Sequence, residues 1–233
     1  MNKIRLLFVV GIVSASFLAC TPQLQITTKQ IHLDKDIAAD TDLSNFILPY
    51  SEEMDIQMNV KIAESKNDFI VARPSSNLMN WMADAVFSNQ TKNKRLSQPT
   101  FCLLNTGGIR SSIGKGDVKL KDIYKVMPFD NSIVWVKLPI ASLDEISAYL
   151  KNSGGEPISN IQMRAGKLVL NPDATTDCFW VITSDYLYHG GDHMDFFEKS
   201  LEVIETKTLI RDVLIEEAKF QKVLINDPII RIQ

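Results

Sequence analysis

The sequence predicts an α/β fold: a single layered domain with a mixed β-sheet and flanking helices. Short apolar strand-like runs and amphipathic helical runs are interspersed along the chain. They follow one another without strict strand–helix–strand alternation, which argues for a mixed sheet rather than an all-parallel one. Beyond an amino-terminal leader the chain has 214 residues, enough for one domain with a sizeable core.

The leader is residues 1–19. Lys3 and Arg5 form a short positive region, and Leu6 to Leu18 is an apolar run too short to span a bilayer. It ends in Phe17-Leu18-Ala19-Cys20, a small residue followed by cysteine. This resembles a bacterial lipoprotein processing site, with lipidation expected at Cys20 and an ordinary secretory leader as the alternative. Loss of Lys3 and Arg5 would shift the formal charge from −3 to −5. Residues 20–53 read as a tether and irregular amino-terminal segment, and 54–233 as the domain proper.

Ile56 to Ile62 alternates apolar and polar residues, the period of a half-buried strand. A helix follows in RPSSNLMNWMADAVFSNQ, with Ser75 or Ser76 as its N-cap and Leu78, Met82, Ala85 and Val86 on one face. Thr100 to Leu104 is a continuously apolar strand. Asp122 to Met127 is a short helix stopped by Pro128. Ile133 to Val136 is a buried strand, and Ser142-Leu143-Asp144-Glu145 has the form of a capping box near the start of a helix reaching Leu150. The run Asn152 to Gly155 ends that helix. Ile158 to Met163 and Lys167 to Leu170 flank Ala165-Gly166 as a hairpin. Cys178 to Thr183 is a further buried strand. A last helix is expected from Lys207 to Lys219, and a short apolar strand near Ile229.

Composition narrows the function. A hydrophobic content of 45% and a charged content of 23% are ordinary for a globular protein. A mildly acidic chain without basic runs argues against nucleic-acid binding. Cys102 and Cys178 lie in the apolar runs FCLL and CFWVI, which suits buried thiols, with a disulfide between them as the alternative.

Three stretches carry chemistry. In LLNTGGIR, an apolar run stops at Asn105, and Gly107 and Gly108 permit a tight turn or close approach of a ligand. Arg110 adds a planar cation suited to an anion. A phosphate loop does not fit: five residues rather than four separate Gly108 from Gly114-Lys115, and Gly116 stands where Ser or Thr is required. In VMPFDN, Pro128 fixes the backbone and Phe129 is either core or a stacking platform for a base. In SDYLYHGGDHMDFF, Asp192 beside glycines can accept two hydroxyl hydrogen bonds from a ribose. His189, Asp192, His193 and Asp195 raise a metal site, but their spacing is unlike a closed one, and His32 is the only other histidine.

Together these stretches resemble the C-terminal, substrate-binding domain of the 5'-nucleotidase family. The likeness runs through NLMNWMADAVF (77–87), LLNTGGIR (103–110), GDVKLKDIYKVMPFDNSIVWVKLP (116–139) and YLYHGGDHMDFF (186–197) to the terminal IIRI. Ser76 and Thr106 stand where the family has Gly, and Tyr186 where Phe is usual. The resemblance implies a nucleoside base clamped between Phe129 and Tyr186, with Asp192 on the ribose. It implies that Asn105 and Arg110, at the Gly107-Gly108 turn, face the sugar and phosphate side, and it places Arg73 near a further family arginine.

Complete family members also carry a two-metal metallophosphatase domain with Asp-x-His and Gly-Asn-His-Asp/Glu signatures, and this chain contains neither. The expectation is therefore a split, extracytoplasmic 5'-nucleotidase. This exported, membrane-anchored bacterial lipoprotein would supply nucleotide recognition, with no catalytic residue, cofactor or metal of its own. A separate metallophosphatase chain would supply divalent metals. The alternatives are a non-catalytic nucleotide-binding lipoprotein for scavenging or sensing, and a degenerate interaction module with an unused pocket.

Overall fold

The computed structural model describes residues 24–30, 38–170 and 176–233. Residues 1–19, expected as a leader, and Cys20 lie outside the described residues. The chain divides after Ile47 into two compact units, and the second, Leu48–Gln233, contains all the structure that follows helix α1.

Helix α1 spans Thr41–Met58 and buries none of its residues. It corrects two expectations. Residues 41–53 are helical rather than irregular, and the strand expected over 56–62 begins only at Lys61, where β1 spans Lys61–Ser65. Leu43, Phe46, Ile47, Tyr50 and Met54 recur at three- and four-residue steps, the helical period, which outweighs the short alternation at its end.

Helix α2, Asn77–Thr91, starts where expected: the Ser76 side chain accepts from the Met79 N–H. Strand β2 (Thr100–Leu103) is fully buried, and a 3-10 turn follows at Thr106–Gly108. Strand β3 (Gly116–Lys119) pairs antiparallel with β1. Helix α3 spans Leu120–Val126, β4 spans Ser132–Pro139, and α4 spans Ser142–Ser153. No side chain caps the start of α4: Ser142 falls inside the helix with its hydroxyl buried and without a partner. Gly154, left-handed at φ 80°, ends it as expected.

The run expected as one strand over 158–163 is broken in two. Asn160 turns left-handed at φ 60°, and its side-chain N–H donates to the Thr100 carbonyl at 2.8 Å. β5 (Ile158–Ser159) therefore pairs with β2, while β6 (Gln162–Arg164) and β7 (Lys167–Val169) form the expected hairpin. Strand β8 spans Cys178–Ser184, and the four-residue helix α5 spans Asp185–Tyr188. Strand β9, Glu202–Leu209, occupies the start of the expected last helix, so α6 begins only at Ile210 and ends at Gln221. Near Ile229 there is no strand. An isolated bridge joins Met163 and Ile232 instead, and the Asn80 side chain donates to the Asp227 and Ile229 carbonyls.

The central sheet has the order β5-β2-β8-β4-β9. β2 and β8 are parallel and the other pairings antiparallel, so the sheet is mixed. Alternation along β4 divides the core. Ile133 and Trp135 join Leu78, Met82, Val86, Val213 and Leu214 of α2 and α6 on one face. Val134, Val136 and Leu138 join Ile146 and Leu150 of α4, with Phe179 and Val181, on the other. Phe101 and Phe179 stack across β2 and β8 with ring centroids 5.5 Å apart. Cys102 and Cys178 are both free thiols, so the disulfide alternative does not hold.

Candidate functional site

The carboxyl ends of parallel strands β2 and β8 lie side by side, and β4 begins at the same edge of the sheet, with Ile133 opposite Ser184. Such an edge is a common ligand position, because loops leave it without covering each other. Here the loops enclose a cleft of about 330 Å³ lined by Asn105, Gly107, Gly108, Arg110, Phe129, Asn131, Tyr186 and Asp192. The three sequence stretches thus converge on one place.

The turn after β2 sets the first wall. Gly108 N donates to the Asn105 carbonyl at 3.2 Å and Ile109 N to the Thr106 carbonyl at 3.0 Å. Gly108 is needed for space rather than for left-handed backbone, since neither glycine has positive φ. A Cβ on Gly108 would stand 2.8 Å from Asn105 Oδ1, and one on Gly107 would stand 3.4 Å from Asp192 Oδ2. Arg110 Nη1 donates to the Gly107 carbonyl at 3.3 Å, and its guanidinium lies 5.8 Å from the Phe129 ring centroid.

The ring walls are exposed. Phe129 is 41% exposed and Tyr186 47%, although both are large aromatic side chains. The core reading of Phe129 is thereby excluded. Buried Arg211 of α6 holds the Phe129 loop from behind: Nη1 donates to the Phe129 carbonyl at 3.3 Å, and Nη2 pairs with Asp130. The Arg211 guanidinium in turn packs 4.5 Å from the Tyr124 ring centroid. Tyr186 is braced by Gly191, where a Cβ would meet ring atom Cε1 at 2.4 Å.

Asp192 sits in left-handed backbone, φ 52° and ψ 24°, which aims its carboxylate into the cleft mouth. Tyr186 donates its hydroxyl to Oδ1 at 2.8 Å, and Asn105 Nδ2 donates to Oδ2 at 2.6 Å. The Tyr149 hydroxyl donates to the Asp192 carbonyl at 3.0 Å. The hydrogen bond to Asp192 and its negative charge raise the Tyr186 hydroxyl above the ordinary tyrosine range. Burial, with the charges of Glu156 and Asp192, pushes Tyr149 up to about 12. Below the cleft, Asn131 Nδ2 and Ser132 Oγ donate to the two oxygens of Asp185 at 3.1 and 2.8 Å. Burial alone would raise Asp185. These bonds, with the backbone N–H groups of Ser132 and Tyr186, outweigh burial and hold its carboxyl below the usual range.

Arg73 is placed apart from the cleft lining. Its Nη2 pairs at 2.8 Å with Glu156, a buried carboxylate behind the turn. Glu156, Asn131, Tyr149 and Arg211 are the site-building residues that motif reading passes over. Each acts across 43 or more residues of sequence. Among the described residues, no group of three or more His, Cys, Asp or Glu side chains is placed to hold a metal ion. His189, one of the candidates, has its ring Nδ1 2.7 Å from the Asp185 carbonyl.

Residues 61–139 match the family model described as 5'-nucleotidase, C-terminal domain. A 5'-nucleotidase of Vibrio parahaemolyticus is 28% identical over 138 residues, covering 57% of this chain and 23% of that protein. Protein UshA of Yersinia enterocolitica is 23% identical over 184 residues, covering 71% of this chain and 32% of that protein. The chain thus spans roughly a quarter to a third of these relatives. Among solved structures, the 5'-nucleotidase precursor of Thermus thermophilus superposes with a TM-score of 0.66 at 24% identity, over 82% of this chain and 42% of that one. The mixed α/β architecture is therefore similar to that of the matched part of this solved 5'-nucleotidase precursor.

Proposed function

We propose that this chain, which carries a 5'-nucleotidase C-terminal domain, is the nucleotide-recognition component of a 5'-nucleotidase whose catalytic metals reside on a metallophosphatase partner. The observation that carries this reading is the shared cleft: two exposed aromatic rings, a carboxylate held by two donors, and an arginine at one rim. An aromatic platform accepts any base through its π face. Asp192 can take the ribose hydroxyls, with Asn105 holding the carboxylate in place. Arg110 carries the permanent positive charge that a phosphate needs.

In this reading the chain contributes binding and orientation. Fixing the nucleoside at base and sugar presents the phosphate ester in one direction, so that attack by a water becomes effectively unimolecular. The partner's divalent metals would activate that water and polarise the phosphoryl oxygens. The products would be nucleoside and orthophosphate. The leader and Cys20 add the proposal that recognition takes place at a membrane surface outside the cytoplasm, through a lipid anchor.

The test is a pull-down of the native lipoprotein from its membrane, followed by phosphate release from AMP with and without divalent metal. Activity is expected in the complex, and none in the homogeneous chain. Metal-dependent hydrolysis by the chain alone would refute the split. A complex containing no phosphatase, with AMP binding intact, would turn the reading toward a non-catalytic nucleotide-binding protein.

A further inference from the structure

We propose that Glu156 is a positioning residue for the cleft: its carboxylate sets the 105–108 turn and so aims the groups facing sugar and phosphate. This inference rests on the nucleotide reading of that cleft. Glu156 is 3% exposed, and a carboxylate taken that far out of water persists only when it is paired. Its two oxygens are taken by donors from two distant segments. Oε2 accepts from Thr106 N at 2.6 Å, and Oε1 from Arg73 Nη2 at 2.8 Å.

The backbone places this carboxylate. Gly155 has φ +109°, and a Cβ there would stand 2.3 Å from the Pro74 carbonyl oxygen. Only glycine fits, and it seats the following residue directly behind the turn. Thr106 N opens the 3-10 turn, and such a first donor has no partner within the turn itself. Once it is held by Glu156, Asn105 on one side meets Asp192 at 2.6 Å. On the other side the Gly107 carbonyl receives Arg110 at 3.3 Å. Phe129 and Tyr186 stand on other segments and do not touch Glu156. Its loss should therefore leave the base clamp and disturb the sugar and phosphate contacts.

The experiment uses the full chain as wild type, Glu156→Ala and Glu156→Gln. Adenine, adenosine and AMP are titrated calorimetrically, and the Thr106 backbone and Asn105 side-chain amides are followed by NMR without ligand. Glu156→Ala should weaken adenosine and AMP about tenfold, as expected for losing a charged hydrogen bond, and adenine by less than about twofold. Glu156→Gln keeps an acceptor for Thr106 N–H and should recover most of the affinity. Both amide signals should move in the alanine variant, and less in the glutamine variant. Equal loss for all three ligands, or unmoved Thr106 and Asn105 signals in a folded variant, overturns the proposal. Should the alanine variant not fold, Glu156→Asp, which draws the carboxylate back by one methylene, decides: unmoved Thr106 and Asn105 signals overturn the proposal, and moved signals with adenosine weakened more than adenine sustain it. If wild type binds none of the ligands while both amides still move, the nucleotide reading falls and the positioning role stands.

Discussion

The Tyr186 hydroxyl donates to Oδ1 of Asp192 across 2.8 Å, which couples one ring of the cleft to its acidic acceptor. The other oxygen is already held by Asn105 at 2.6 Å, so the carboxylate is oriented before any ligand arrives. A tyrosine in place of the phenylalanine expected by resemblance thus adds a bond while keeping the π face.

Replacing either ring tests the clamp. Phe129→Ala and Tyr186→Ala should each cost about 1–3 kcal/mol of base binding, or roughly tenfold to a hundredfold in affinity. Tyr186→Phe should change adenine affinity by less than about twofold, because only the bond to Asp192 is lost. Calorimetric titration of adenine, adenosine and AMP measures all three variants. Affinities unchanged in both alanine variants would exclude the clamp.

Gly191→Ala should mimic Tyr186→Ala without touching the ring residue. The new methyl would sit 2.4 Å from Tyr186 Cε1, so the ring must swing aside. Gly191 has no positive φ, and Tyr186 is exposed, so stability should stay within about 1 kcal/mol of wild type. A thermal melt together with the adenine titration checks both halves. Wild-type adenine affinity in this variant would show that the ring position is not critical.

Arg110→Ala should separate nucleotides from nucleosides. Its guanidinium is the charged group of the cleft lining that can pair with a phosphate. AMP should weaken by about tenfold or more, and adenosine by about threefold or less, the remainder reflecting the lost contact with the Phe129 ring. The same AMP-to-adenosine ratio as wild type would place the phosphate elsewhere.

Alkaline pH should destabilise the domain through Tyr149. Its folded value lies near 12, above the ordinary 10.0, because burial and the neighbouring carboxylates disfavour the phenolate. The unfolded chain therefore releases this proton first. The contribution to stability is full below pH 10 and is lost as pH rises toward 12. Urea denaturation at stepped pH should show wild type losing stability over that window more steeply than Tyr149→Phe. Parallel curves would remove Tyr149 as the cause.

The local sequence determined much of this protein. Helix α2 with its Ser76 cap, the buried runs of β2, β4 and β8, and the Gly154 stop all rest on neighbouring residues and their periods. So do the cleft residues Asn105, Gly107, Gly108, Arg110, Phe129, Tyr186 and Asp192, which lie within three short stretches. Strand β9 escaped because its solvent-facing charges blur the two-residue period, and an edge strand has a neighbour on one side only. Helix α1 escaped because the apolar–polar alternation that starts at Ile56, inside its last turn, and runs on to Ile62 satisfied a strand as well as a helix.

What only the tertiary structure decided is how the stretches are held together. Arg73, expected near the ligand, was drawn instead to Glu156, 83 residues away, and Glu156 to Thr106, 50 residues away. Arg211 reached back 82 residues to the Phe129 carbonyl, and Tyr149 forward 43 to Asp192. No local period encodes such partners. A buried carboxylate or guanidinium takes whichever complementary group the packed chain brings within reach, because leaving it unpaired away from water costs more than any local preference gains.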